Sequence, residues 1–172
     1  MNKLIQIING KSNSTYIISE IGINHNGILD TALELIYKSK EAKVDAVKFQ
    51  KRNLETIYGK EILDNPNNQE WSFEYLIPIL KEVELSKEDY SVIKRTCKKL
   101  KLDLIITPMD ADSVDFISKL KIDGIKIASA DMTNFSLIKK CSELNLPFII
   151  STGMWKEKDI EHCVKYYNRF KP

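Results

Sequence analysis

Cysteine, charge excess and long apolar runs are all scarce in this 172-residue chain, and each scarcity removes a class of protein. The three cysteines, Cys97, Cys141 and Cys163, are widely spaced and form no CxxC pair, which excludes a disulfide scaffold or a zinc module. They read as reduced thiols on the buried faces of helices. Lysine and arginine number 26 against 24 aspartates and glutamates, a net charge of +2, so there is no basic surplus for nucleic acid or an acidic membrane. No apolar stretch approaches the ~18 residues of a membrane span, and Leu4–Ile8 is too short for the core of a secretory signal. What remains is 43% hydrophobic and 29% charged, a soluble globular mixture. The expectation is a cytoplasmic protein with no membrane and no nucleic-acid partner.

Short β-branched runs alternate with helical periodicity along the chain. The strand-like runs are Tyr16–Ile21, Ala46–Gln50, Leu104–Thr107, Gly124–Ala128 and Phe148–Ser151, each of a length that suits a strand. Between them, apolar residues fall at i, i+3, i+4 and i+7: Leu29, Ala32, Leu33 and Ile36, then Ile160, Cys163, Val164 and Tyr167. Leu137, Ile138, Cys141 and Leu144 form a similar stripe, as do Tyr90, Ile93, Cys97 and Leu100. Asp30, Asp112 and the Ser86/Asp89 pair read as helix starts. Lys98, Lys99, Lys139 and Lys140 read as solvated surface.

Repeated βα units predict a parallel sheet with right-handed crossovers. Ahead of the first unit, Leu4–Ile8 followed by Asn9-Gly10 predicts a short hairpin strand plugging the sheet from below. Residues 51–85, with Asn65-Pro66-Asn67-Asn68 at the centre, form an insertion on the carboxyl side of strand two, where loops carry function. The five units average about 31 residues, and eight would need the ~250 of a (β/α)8 TIM barrel. The chain therefore holds either about five-eighths of a barrel or a complete open five-stranded sheet. The segment Gly22-Ile23-Asn24-His25-Asn26-Gly27 lacks GxGxxG spacing and no Walker motif follows any strand, so the dinucleotide and P-loop classes are disfavoured.

Period-two alternation sorts the strand faces. Val47 and Phe49 share one face, leaving Lys48 and Gln50 on the other; Ile125 and Ile127 leave Lys126. By the same rule Glu20, Thr107 and Ser151 turn inward, and Ser129 follows just past the fourth strand. Each strand thus delivers a polar group at its carboxyl end. Two lysines aimed into one space repel and lose hydration unless an anion lies between them. Thr107, Ser129 and Ser151 add hydroxyl donors, and Gly153 lets backbone N–H groups approach. The predicted ligand is a small phosphorylated or carboxylated molecule, with Glu20 as the proton-transfer carboxylate.

At these residues the chain resembles the sialic acid (N-acetylneuraminate, nonulosonic acid) synthase family. The matching segments are Glu20-Ile21-Gly22-Ile23-Asn24-His25-Asn26-Gly27, Val47-Lys48-Phe49-Gln50, Thr107-Pro108, Lys126-Ile127-Ala128-Ser129 and Ser151-Thr152-Gly153-Met154. The resemblance implies a (β/α)8 barrel condensing phosphoenolpyruvate with an N-acetylated amino sugar, such as N-acetylmannosamine, to a nine-carbon 2-keto acid and phosphate. It implies that Lys48, Thr107, Lys126, Ser129 and Ser151 hold phosphoenolpyruvate, with Glu20 and Gln50 beside the sugar and the attacking water. It also implies a divalent cation, Mn2+ or Mg2+, as Lewis acid. The metal-binding histidines expected of the family belong to later strands, and neither His25 nor His162 replaces them. His25 is read as shaping the first βα loop, and His162 as a helix residue at the surface or the edge of the core. The family's C-terminal antifreeze-like domain is likewise expected to be absent, leaving residues 1–172 as one partial barrel domain.

Such a part-barrel is expected to work poorly in isolation, and to be unstable alone, a homodimer, or part of a longer chain. Trp71, Phe73 and Tyr75 in the insertion are candidates to shape a sugar pocket or simply to pack. Two other functions fit the inward groups. One is an aldolase whose Lys126 or Lys48 forms a Schiff base; the other is a non-catalytic domain that binds an anionic metabolite.

Overall fold

The computed structural model describes residues 3–65 and 73–169. Five strands, β1 (Ile18–Gly22), β2 (Ala46–Lys51), β3 (Asp103–Pro108), β4 (Gly124–Ile127) and β5 (Phe148–Ile150), form one parallel sheet in the order β1-β2-β3-β4-β5. Strand order follows chain order, so every crossover runs the same way round, as in a barrel wall and unlike a doubly wound sheet. Among the described residues β1 and β5 each pair with a single neighbour, so the sheet is open rather than a closed barrel.

Among the described residues eight helices accompany it: α1 (Lys3–Ile8), α2 (Leu29–Glu41), α3 (Leu54–Asp64), α4 (Phe73–Glu82), α5 (Lys87–Leu100), α6 (Ala111–Leu120), α7 (Phe135–Ser142) and α8 (Glu157–Asn168). None is long and apolar enough to cross a membrane. Val47, Phe49, Leu104, Ile106, Ile125 and Ile127 point from one face of the sheet into the main core, where they meet Ala32 and Ile36 of α2, Tyr90, Ile93 and Cys97 of α5, Val114 and Ile117 of α6, and Leu137, Ile138 and Cys141 of α7. That single-sided cover is why alternating strand residues must be apolar and the others are free to be polar. α8 lies outside β5 against α7; it buries Cys163 but leaves Val164 exposed, so its apolar stripe is narrower than the spacing predicts.

The buried cysteines carry a test. Burial pushes the thiols of Cys97 and Cys141 up to about 12 and raises that of Cys163, and the thiolate is the reactive form. A disulfide reagent should therefore titrate three fast thiols only after unfolding in guanidinium. One equivalent of fast thiol in the native chain would contradict this packing.

The opposite face of the sheet is thinly covered at its amino end. There Leu4 packs on Ala46 and Ile105, with Tyr16, Ile18 and Ile149 around them. The segment predicted as a hairpin strand is thus a short helix, in the predicted position under the sheet. Asn9-Gly10 is its stop signal rather than a hairpin turn: the N–H groups of Asn9, Gly10 and Lys11 donate back to Ile5, Ile7 and Gln6, and Gly10 takes φ +65°. A left-handed glycine ends helices as readily as it turns hairpins.

Helix starts also differ in detail. Ser86 and Asp89 form a reciprocal capping box on α5. The α6 cap is Asp110, whose Oδ1 accepts from the Ser113 N–H at 2.8 Å; Asp112 sits in the first turn and accepts from Asn53 and Thr56 across the insertion's start. Asp30 lies in the first turn of α2, which Ile28 caps without a side-chain bond. There a carboxylate complements the helix dipole without capping. Lys98, Lys99 and Lys139 are exposed and Lys140 pairs with Asp115. The insertion is helical on both sides of its centre, α3 being kinked at Gly59. Pro66, Asn67, Asn68, Trp71 and the side chain of Phe73 lie outside the described residues. Tyr75 is exposed on α4.

Candidate functional site

The carboxyl ends of the five strands carry the polar groups that alternation turned inward. Glu20 and Lys48 are direct register partners across β1 and β2, and Gln50 and Thr107 across β2 and β3. Lys48 is 4% exposed, and its Nζ lies 2.9 Å from Glu20 Oε2 and 3.4 Å from Thr107 Oγ1. Burying an ammonium to that degree requires such partners. Glu20 itself is open to solvent, which leaves its carboxylate accessible from the rim.

Lys126, next along the sheet, is half-buried. Its pKa is lowered first by burial and then by the charge of Lys48, with Glu20 acting in the other sense. The charge of Lys48 thus reaches Lys126 from two strands away. Among the described residues Lys126 has neither ion pair nor hydrogen-bond partner. The same holds for the hydroxyls of Ser129 and Ser151, both part-exposed. Ser129 opens a single 3₁₀ turn (Ser129–Asp131) after β4, where its carbonyl accepts from Trp155 Nε1 at 2.6 Å. A Cβ on Gly153 would lie 3.9 Å from the Ser129 Cβ, so the loops after β4 and β5 meet at Ser129. The backbone N–H of Ser151 still donates to Ile127 of β4, which fixes its start point. The five polar positions on strands thus share one rim with Ser129 and Ser151, each just past its strand.

Two residues of this rim are not among those singled out above. Arg52 continues the inward series Lys48, Gln50 by another two positions, and its Nη2 donates to Gln50 Oε1. Its Nε lies 3.3 Å from Glu84 Oε1, while Lys51 Nζ lies 2.9 Å from Glu84 Oε2. Extending the period-two count past the strand end would have found Arg52. Nothing local points to Glu84.

His25 is 1% exposed in the β1–α2 loop. Its Nδ1 accepts from the Gly27 N–H at 3.1 Å and its ring stacks on Phe49. Burial lowers its pKa, the Gly22 backbone opposes this, and Arg52 adds to the lowering. With Nδ1 accepting, the neutral ring carries its proton on Nε2. That is a loop-shaping role, in agreement with the sequence. His162 is exposed on α8 beside Phe135. Among the described residues no group of three or more His, Cys, Asp or Glu could hold a metal ion, so these residues do not build the cation site that the resemblance implies.

Comparison with known proteins places the whole chain rather than any one residue. A protein from Drosophila melanogaster, N-acetylneuraminate-9-phosphate synthase, is 40% identical over 164 residues, covering 94% of this chain and 44% of its own length. The N,N'-diacetyllegionaminic acid synthase of Legionella pneumophila is 38% identical over 159 residues, covering 90% of this chain and 44% of that protein. The chain thus spans less than half the length of these curated relatives. The crystal structure of N-acetylneuraminic acid (sialic acid) synthetase from Leptospira borgpetersenii in complex with citrate matches with a TM-score of 0.80 and 27% identity, over 92% of this chain and 51% of that one. The family model matches residues 35–171, and with it the chain belongs to the NeuB family, among synthases of sialic and related nonulosonic acids.

Proposed function

We propose that this chain carries the phosphoenolpyruvate-binding part of a nonulosonic acid synthase, within one partial barrel domain. The observation that carries the proposal is the unpaired donor set. The Lys126 ammonium and the hydroxyls of Ser129 and Ser151 have no partner among the described residues, yet stand beside the buried Lys48–Thr107 contact. Donors of this kind offer an anion charge-assisted hydrogen bonds. Phosphoenolpyruvate presents a phosphate and a carboxylate, enough to occupy both lysines.

In that role Lys48 and Lys126 hold the anionic ends and Thr107, Ser129 and Ser151 donate to the remaining oxygens. The enol C3 then attacks the aldehyde carbon of an open-chain N-acetylated amino sugar such as N-acetylmannosamine, forming the new C–C bond. Water adds to the oxocarbenium carbon C2, and the C2–O bond breaks to release inorganic phosphate and the 2-keto acid. Glu20, solvent-open and 2.9 Å from Lys48, is the carboxylate available to move protons on the water. Gln50 hydrogen-bonds at the sugar side.

A lysine with lowered pKa is also what a Schiff-base enzyme uses, so the Lys126 shift favours the aldolase as second reading. Calorimetric titration with phosphoenolpyruvate, then phosphate release with N-acetylmannosamine and manganese, and borohydride trapping with pyruvate separate the possibilities. Phosphoenolpyruvate binding with no trapped lysine is the expected result, with phosphate release slow because these residues do not build the cation site. Covalent trapping at Lys126 or Lys48 would favour the aldolase, binding with no phosphate release at all the non-catalytic anion binder, and no binding would sink the anion site itself.

A further inference from the structure

We propose that Arg52 is a positioning residue that fixes the side-chain amide of Gln50 in one orientation and so makes it a one-sided donor toward the substrate. An amide side chain offers a carbonyl and an NH2 that a half-turn about its last bond exchanges. Here Gln50 Oε1 is committed to Arg52 Nη2, while its backbone carbonyl accepts from the Tyr90 hydroxyl. Arg52 is itself 6% exposed and cannot swing away, because Glu84 holds its Nε at 3.3 Å. Glu84 is in turn fixed by Lys51 at 2.9 Å, and Lys51 Nζ also reaches the Leu85 carbonyl at 3.4 Å and lies 5.6 Å from the centre of the Tyr90 ring. The free end of the amide is Nε2, which stands 3.7 Å from where a Cβ on Gly22 would be, at the bulge that ends β1.

The remaining Arg52 nitrogen has the same polarity: Nη1 is buried with no acceptor. Gln50 Nε2 and Arg52 Nη1 are thus two N–H groups of one sign that select for an acceptor. The group recognised there is a hydroxyl oxygen, an acyl carbonyl or the lone pair of a water, and a cation or N–H donor is excluded.

The part concerning substrate rests on the synthase reading, whereas the orientation of Gln50 does not. The test therefore has two arms. In the first, the Gln50 side-chain amide is followed by 15N relaxation in the chain and in Arg52→Met, with backbone amide spectra checking the fold. A restrained amide that becomes mobile in Arg52→Met is expected; equal mobility in both overturns the proposal. Should Arg52→Met not fold, Glu84→Gln, which keeps the guanidinium but weakens its anchor, is expected to loosen the amide partly, and no change there also overturns it.

In the second arm, Arg52→Met is expected to lower kcat/KM for the sugar about tenfold while phosphoenolpyruvate affinity stays within about twofold. Added to Gln50→Ala it should cost nothing further, since it acts through Gln50. Independent, additive losses overturn the proposal. Absence of turnover in the unsubstituted chain would instead overturn the synthase reading, with the amide measurement still deciding the role of Arg52.

Discussion

Lys126→Met is expected to weaken phosphoenolpyruvate binding about a hundredfold and to leave the thermal midpoint unchanged or slightly raised. The loss follows from removing one charge-assisted partner of a desolvated anion, about 3 kcal/mol, or two factors of ten in affinity. The unchanged stability follows from the sign of the pKa shift. Burial and Lys48 lower the Lys126 pKa, so the folded state disfavours its charged form. That penalty is full below the folded pKa and fades as pH rises toward the ordinary lysine value. Methionine removes the penalty and keeps an apolar stem of similar length. By the same linkage the anion should draw a proton onto Lys126 as it binds. Calorimetric enthalpies in buffers of different ionisation heat should reveal proton uptake that grows on the alkaline side and vanishes at acid pH. Unchanged affinity in Lys126→Met would remove this residue from the site and leave the pair of converging lysines without a ligand.

Gly27→Ala is expected to destabilise the fold by about 3 kcal/mol or more, lowering the melting temperature by roughly 10 °C for a chain of this size. A Cβ there would lie 2.0 Å from the Glu82 carbonyl oxygen, and the backbone sits at φ +72°. The positive φ alone costs about 1–2 kcal/mol with a side chain. The overlap adds more, because the obstacle is backbone at the end of α4 and cannot rotate aside. Gly10→Ala supplies the contrast: φ is +65° but nothing lies within 4 Å, so only the conformational cost of about 1 kcal/mol is expected. Equal losses in the two variants, read from denaturant midpoints, would mean that the close approach of the β1–α2 loop to α4 is not structural. Since the Gly27 N–H donates to His25, the same change should also disturb the imidazole beside Arg52.

Much of this rim was readable along the chain because a strand imposes a period of two. Once Val47, Phe49, Ile125 and Ile127 are committed to the helices, Lys48, Gln50 and Lys126 have only one other face to occupy; burial follows this at Lys126 in β4, whereas in β2 both faces are buried from Ala46 to Phe49. The hairpin reading of Leu4–Ile8 failed for a definite reason. β-Branched residues followed by Asn-Gly satisfy both a strand-turn and a helix-stop, and packing of Leu4 on Ala46 and Ile105 selects the helix. Asp110 and Asp112 are equally good cap residues by type; only the extended backbone at Asp110, φ −158° and ψ 171°, separates them. Glu84 was beyond reach because its partners are more than thirty residues earlier. Charge pairing across that distance carries no local period.

Lys51 and Arg52 stand where the excursion between β2 and α5 departs, and Glu84 stands where it returns. One carboxylate therefore staples both ends of that segment. With its ends held together, the closure entropy rises only with the logarithm of the length between them, about 0.6 kcal/mol per doubling. Length can therefore change between the staples at little cost to the sheet to which they are clipped, so long as the end of α4 keeps its approach to Gly27.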